Sequence, residues 1–143
     1  LSLYLLSGLA GSTASFLGSP ALSAGASGAI FGLIGAMIAY LARYRDQFGG
    51  WGRRQLTNVL LVAAYNLVWG LTAQGIDNWG HIGGLGAGLV LGWAYCPHYR
   101  PTYDAEGFLT LVDTPQRGRL VAVSAALIAL LVALVAWGVR MHS

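Results

Sequence analysis

Five stretches of this chain contain no aspartate, glutamate, lysine or arginine at all: 1–17, 27–42, 56–71, 80–95 and 120–139. Runs of that length cannot be the buried stripe of a soluble helix, because the water-facing positions of such a helix carry charge. They leave only 9% charged residues against 56% hydrophobic ones in 143 residues, where a soluble domain uses roughly one quarter charged. The composition is that of a membrane chain, and the fold class it implies is all-α, a polytopic transmembrane helix bundle. A helix needs about 20 residues to cross roughly 30 Å of hydrocarbon. The first four stretches are short of that, so they are expected to borrow from their flanks or to leave one end below the surface. The fifth has the full length, carries Ser124 as its one hydroxyl residue, and reads as a peripheral helix facing lipid.

Leu1 already stands inside an apolar run and no Met begins it, so a fragment with its upstream part elsewhere is expected. A secretory signal is the rival reading of 1–17, because Ala21-Leu22-Ser23-Ala24 resembles a small-residue cleavage site. The absent basic leader argues against it. Residues 96–119, with mixed charges and Pro97, Pro101 and Pro115, read as a cytoplasmic linker.

The formal charge of +3 comes from eight arginines against five acidic residues. The arginines fall between apolar runs without forming a basic face, so nucleic acid is not an expected partner and the lipid bilayer is. Arg43, Arg45, Arg53 and Arg54 crowd the loop between the second and third runs, whereas 72–79 has none. By the positive-inside rule that loop is cytoplasmic, Arg100, Arg117 and Arg119 join it, and Arg140 alone lies outside. Trp51, Trp69, Trp79, Trp93 and Trp137 fall at or near span ends, where amphipathic rings prefer the interface. A multi-pass protein of the cell membrane is expected, with Ser27 and His81 near the outer ends of their helices. The lone Cys96 excludes an internal disulfide. Cys96-Pro97-His98 would be half a metal site, but no second pair accompanies it, and neither metal nor cofactor is expected. Acylation at a membrane edge is another reading of that thiol.

Gly80, Gly84, Gly88 and Gly92 recur every fourth position, which lays a glycine groove along one helix face. Gly28, Gly32, Gly35, Ala36 and Ala39 give the second run a similar stripe. Helices in lipid associate where small residues let backbones approach, so the second run is expected to pack on the fourth. His81 lies on the grooved side, three residues before Gly84 and seven before Gly88. Ser27 by itself could be a packing residue, an N-cap or a nucleophile. An intramembrane histidine is a functional candidate whose partner must be named. At one depth on facing stripes, hydroxyl and imidazole suit nucleophile and general base. Asp77 belongs to the outer loop and Asn78 could orient a ring only by hydrogen bonding, so a dyad is the simpler proposal. Gly25 relieves strain beside the nucleophile and Gly28 leaves room for the neighbouring helix. The first amides of the helix, that of Ser27 foremost and with Ala26 beside it, are candidates for holding an oxyanion. Segment 72–79, with Gly75, reads either as a cover over the site or as a plain surface turn. A small transporter or channel could use the glycine stripes too, but paired charges would then be expected inside the spans.

Gly25-Ala26-Ser27-Gly28 opening a membrane helix, followed 54 residues later by Gly80-His81-Ile82-Gly83-Gly84-Leu85-Gly86-Ala87-Gly88, resembles the rhomboid intramembrane serine proteases. Leu3 to Ser12 is similar to the family's third core helix. The resemblance implies a rhomboid-like bundle in which 1–17, 27–42, 56–71 and 80–95 are the third to sixth core helices of a 1–95 core, with 120–139 an additional seventh. It implies Ser27 as nucleophile, His81 as base, and Phe31 as the aromatic ring against that histidine. It also implies substrates that are single-pass membrane proteins with a small residue before the cut. The family's first two helices, the second of which contributes a His and an Asn to the oxyanion site, have no counterpart in this sequence. Either they are supplied by another chain, the favoured reading, or this fragment is inactive alone. A catalytically inactive rhomboid-like protein that binds membrane segments is the alternative.

Overall fold

The computed structural model describes residues 1–18, 26–73, 75–97, 99–103, 106–113 and 116–142. Backbone amides in hydrocarbon find no water to bond, so each apolar stretch satisfies its own hydrogen bonds as a helix. Among the described residues the helices are α1 (Ser2–Gly18), α2 (Ala26–Tyr44), α3 (Gly49–Thr72), α4 (Asn78–Tyr95) and α5 (Arg117–His142). These residues form an all-α bundle to which two short strands, β1 (Tyr99–Tyr103) and β2 (Leu109–Asp113), are attached. Ala26–Tyr44 and Arg117–Met141 are each long and apolar enough to cross a membrane by length and composition.

The helices overrun the charge-free stretches. With 24 residues, α3 is about 36 Å long and carries Arg53 and Arg54 on its first turns, while Arg43 lies in the last turn of α2. Of the four arginines expected in this loop, only Arg45 lies outside a helix, 3.8 Å from Asp46. The reason is that a long arginine side chain reaches the interface from a helical position, so the backbone need not break where charge begins.

Glycine contacts give the direction of every helix in the central trio. A Cβ built on Gly84 would strike the Gly28 backbone, one on Gly88 the Gly32 backbone, and one on Gly92 would lie 2.8 Å from the Cβ of Ala36. Each step of four on α4 meets a step of four on α2, so the two run parallel and start at the same end. On the antiparallel α1, a Cβ at Gly11 would come 2.7 Å from the Gly80 oxygen and 3.1 Å from the Gly28 Cα. Lower down, Ser7 is fully buried, its Oγ donating to the Leu3 oxygen at 2.7 Å, and its side chain fills the space where a Gly32 Cβ would stand. The expected packing of the second run on the fourth is present. The share taken by α1 was not foreseen.

Helix α5 runs along α1 and α4, with Gly138 against Phe16 and Leu17 and the Tyr95 hydroxyl 2.9 Å from Ser124 Oγ. Val121, Leu130, Val132 and Val139 stand exposed, as a lipid-facing helix requires. A cavity of about 570 Å³ opens between these three helices. The stretch 96–119, read as a linker, holds the antiparallel pair β1 and β2, in which Thr102 faces Thr110 and Tyr103 faces Leu109.

Candidate active site

Parallel helices place their first turns side by side, and this is what brings two distant segments of the sequence together. Ser27 is the second residue of α2 and half-buried, and His81 is the fourth of α4 and buried. Next to both in sequence is the junction of Gly11, Gly28 and Gly80, where the backbones of α1, α2 and α4 meet. Any larger residue at these positions would hold the helices apart.

His81 is held by stacking. The Phe31 ring, one turn along α2 from Ser27, lies parallel to the imidazole, with centroids 4.1 Å apart and planes 13° off. Phe31 is itself buried. An aromatic pair of this kind contributes about 0.5–1.5 kcal/mol beyond the area it buries. The imidazole Nδ1 is buried and has no hydrogen-bond partner among the described residues. Asp77, assigned to the outer loop by its position in the sequence, is the N-cap of α4, accepts the His81 amide through its backbone oxygen at 3.3 Å, and interacts electrostatically with His81. Its carboxylate packs over Gly80, where a Cβ would lie 2.6 Å from Oδ2.

Asn78 does something the sequence did not announce. Its Nδ2 donates to the Leu67 oxygen of α3 at 2.9 Å, and its Oδ1 occupies the space that a Cβ at Gly70 would need. It therefore fastens the end of α3 to the start of α4 instead of touching the imidazole. The connection between them is short and contains Gly75 at φ +83, a left-handed conformation that glycine adopts without strain.

Ala26 and Ser27, as the first residues of α2, have amides with no acceptor inside the helix. Gly84 and Gly88 carry no chemistry and set the distance between α2 and α4. Gly25, expected beside the nucleophile, and His98, half of the rejected metal pair, lie outside the described residues. Among the described residues no group of three His, Cys, Asp or Glu side chains could hold a metal ion. A groove of about 390 Å³ between α1 and α2, lined by Leu5, Gly8, Ser12, Ala26 and Ala29 among others, runs to the edge of this site. The larger cavity near α5 involves none of Ser27, Phe31 and His81.

Comparison with known proteins bears on this arrangement. The family model described as "Rhomboid domain" matches residues 1–98. The chain is 46% identical over 89 residues to "Rhomboid protease GluP" of Bacillus subtilis (strain 168), covering 62% of this chain and 17% of that protein. It is 38% identical over 106 residues to "RHOMBOID-like protein 1" of Arabidopsis thaliana, covering 71% and 25%. To "Rhomboid-like protease 5" of Toxoplasma gondii it is 35% identical over 97 residues, covering 66% and 11%. The chain thus spans a quarter or less of the length of these three relatives. No solved structure gives a significant match.

Proposed function

The chain belongs to the rhomboid family, and on that premise we propose that it is the core of an intramembrane serine endopeptidase in which Ser27 is the nucleophile and His81 its general base. The observation that carries the proposal is the parallel register of α2 and α4, closed backbone to backbone at Gly28 and Gly84, with His81 stacked on Phe31. It supports an active site near one end of both helices.

In the proposed reaction a membrane segment of the substrate partly unwinds and presents a peptide carbonyl above the first turn of α2. Ser27 Oγ attacks the carbonyl carbon while an imidazole nitrogen of His81 takes the hydroxyl proton. The oxyanion meets the amides of Ser27 and Ala26 and the positive end of the α2 dipole, and one such donor contributes about 3–4 kcal/mol in a water-poor site. His81 then returns the proton to the departing amine, and a water molecule, deprotonated by His81, releases the acyl group from Ser27. Irregular backbone at membrane depth is tolerated only where protein or a water-filled cavity surrounds it, and the reaction needs such a water. The substrates are single-pass membrane proteins, and the site lies toward the outer face of the cell membrane.

Fluorophosphonate labelling of the full-length protein that contains this chain, in detergent or lipid nanodiscs, tests this. Label on Ser27 that is lost in Ser27→Ala and in His81→Ala, with cleavage of a transmembrane reporter lost in parallel, is the expected result. Absence of label in the wild-type chain, with the reporter bound but uncut, would favour the non-cleaving family alternative.

A further inference from the structure

We infer that the β1–β2 hairpin is a membrane-surface anchor, whose face bearing Tyr99, Tyr103 and Leu109 lies in the interfacial layer of the bilayer that α4 and α5 enter. The inference does not depend on the proposed catalysis.

Side chains alternate across a strand, and partners in an antiparallel pair share a face. The register Tyr103 to Leu109 therefore puts Tyr99, Tyr103 and Leu109 on one face, and Thr102, Thr110 and Val112 on the other. The second face has its own polar bonding, with Thr110 Oγ1 donating to the Thr102 oxygen at 3.0 Å. Both faces are open, but the first exposes the larger apolar side chains: Tyr103 is 73% and Leu109 62% exposed, against 47% for Val112 on the second. An isolated two-stranded hairpin is at best marginally stable in water and needs one face covered.

Three observations identify the cover as lipid. The hairpin is tethered closely at both ends, for β1 begins four residues after α4 ends and α5 begins four residues after β2 ends. It cannot leave the surface where those helices emerge. The Tyr99 ring packs against Tyr44 at the end of α2, with centroids 6.3 Å apart, and the Tyr44 hydroxyl donates to the Pro97 oxygen. The Tyr99 end of that face is thus turned toward the bundle, and Tyr103 and Leu109 lie farther along the same face. Tyr99 also continues an aromatic belt at this end, in which Tyr40 meets Tyr44 and Phe48, and Phe48 meets Trp51. Tyrosine and tryptophan collect at the headgroup level for their amphipathic rings. Arg43 over the Trp93 ring and Arg119 donating to the Trp93 oxygen at 3.2 Å add cations suited to anionic headgroups at the same end.

The test uses the full chain with Cys96→Ser, reconstituted in vesicles of phosphatidylcholine and phosphatidylglycerol. Single cysteines at Tyr103→Cys, Leu109→Cys, Thr102→Cys and Thr110→Cys carry an environment-sensitive fluorophore. The expected result is blue-shifted emission and quenching by lipids spin-labelled near the headgroup at 103 and 109, with iodide quenching at 102 and 110. Two positions per face guard against one variant disturbing the hairpin, and far-ultraviolet circular dichroism checks the helices. Equal iodide quenching on both faces would overturn the inference. So would shielding at 103 and 109 without lipid quenching, which would point to a protein partner or a second copy.

Discussion

Replacing Gly84 by alanine adds one methyl group where α4 lies against α2. Built on the present backbone, that methyl would stand 2.6 Å from the Gly28 carbonyl carbon and 2.9 Å from its Cα, whereas ordinary contact begins at 3.4 Å. Because the obstruction is backbone, no rotamer change relieves it, and since the Gly28 carbonyl oxygen lies closer still, the two helices must part by about 1 Å or more. Alanine favours a helix by about 1 kcal/mol over glycine and overpacking costs about 1–3 kcal/mol, so the net loss of stability is about 0–2 kcal/mol. The chemistry is far more sensitive, since a displacement of about 1 Å between reacting groups costs on the order of 100-fold in rate. Ser27 is adjacent to Gly28 and His81 is less than one turn from Gly84, so the displacement falls on both groups of the proposed dyad. Fluorophosphonate labelling of Gly84→Ala is therefore expected to slow by about two orders of magnitude, with only a small shift in thermal unfolding in micelles. Gly86→Ala is the control, because it lies on the same helix with nothing within 4 Å of its Cβ position. It should label like the wild type. Wild-type labelling in Gly84→Ala, or equal losses in the two variants, would refute the reasoning.

Phe31→Leu keeps an apolar side chain but removes the ring stacked on His81, so labelling is expected to fall by about 2- to 10-fold, the equivalent of a 0.5–1.5 kcal/mol aromatic pair; Phe31→Tyr should retain it, and an unaffected Phe31→Leu would dismiss the stacking as incidental. Asn78→Ala removes the hydrogen bond to the Leu67 oxygen, a net loss of about 0.5–1.5 kcal/mol. Hydrogen–deuterium exchange should then accelerate in the last turns of α3 while α1 keeps its protection, and uniform exchange across both helices would count against a local clamp.

The charge-free runs in the sequence were sufficient to determine an all-α membrane bundle, because hydrocarbon leaves the backbone no alternative to helix over such lengths. The four-residue glycine repeats likewise announced the α2–α4 contact, since a stripe of missing side chains lets two helix backbones approach closely in lipid. Helix ends were less legible. Charge marks where lipid stops, but an arginine can sit on a helix and still reach water, so α3 begins well before its apolar stretch. The hairpin escaped notice because proline and mixed charge in 96–119 looked like a connection, and strand pairing depends on a partner that lies several residues away. Tertiary structure alone decided how the site is built. That Gly11 closes the junction, that Asn78 reaches α3 instead of the imidazole, and that Asp77 folds back over Gly80 all depend on the relative placement of three helices. Local sequence encodes which face of a helix is smooth, but which backbone fills that face is settled only when every helix competes for it at once.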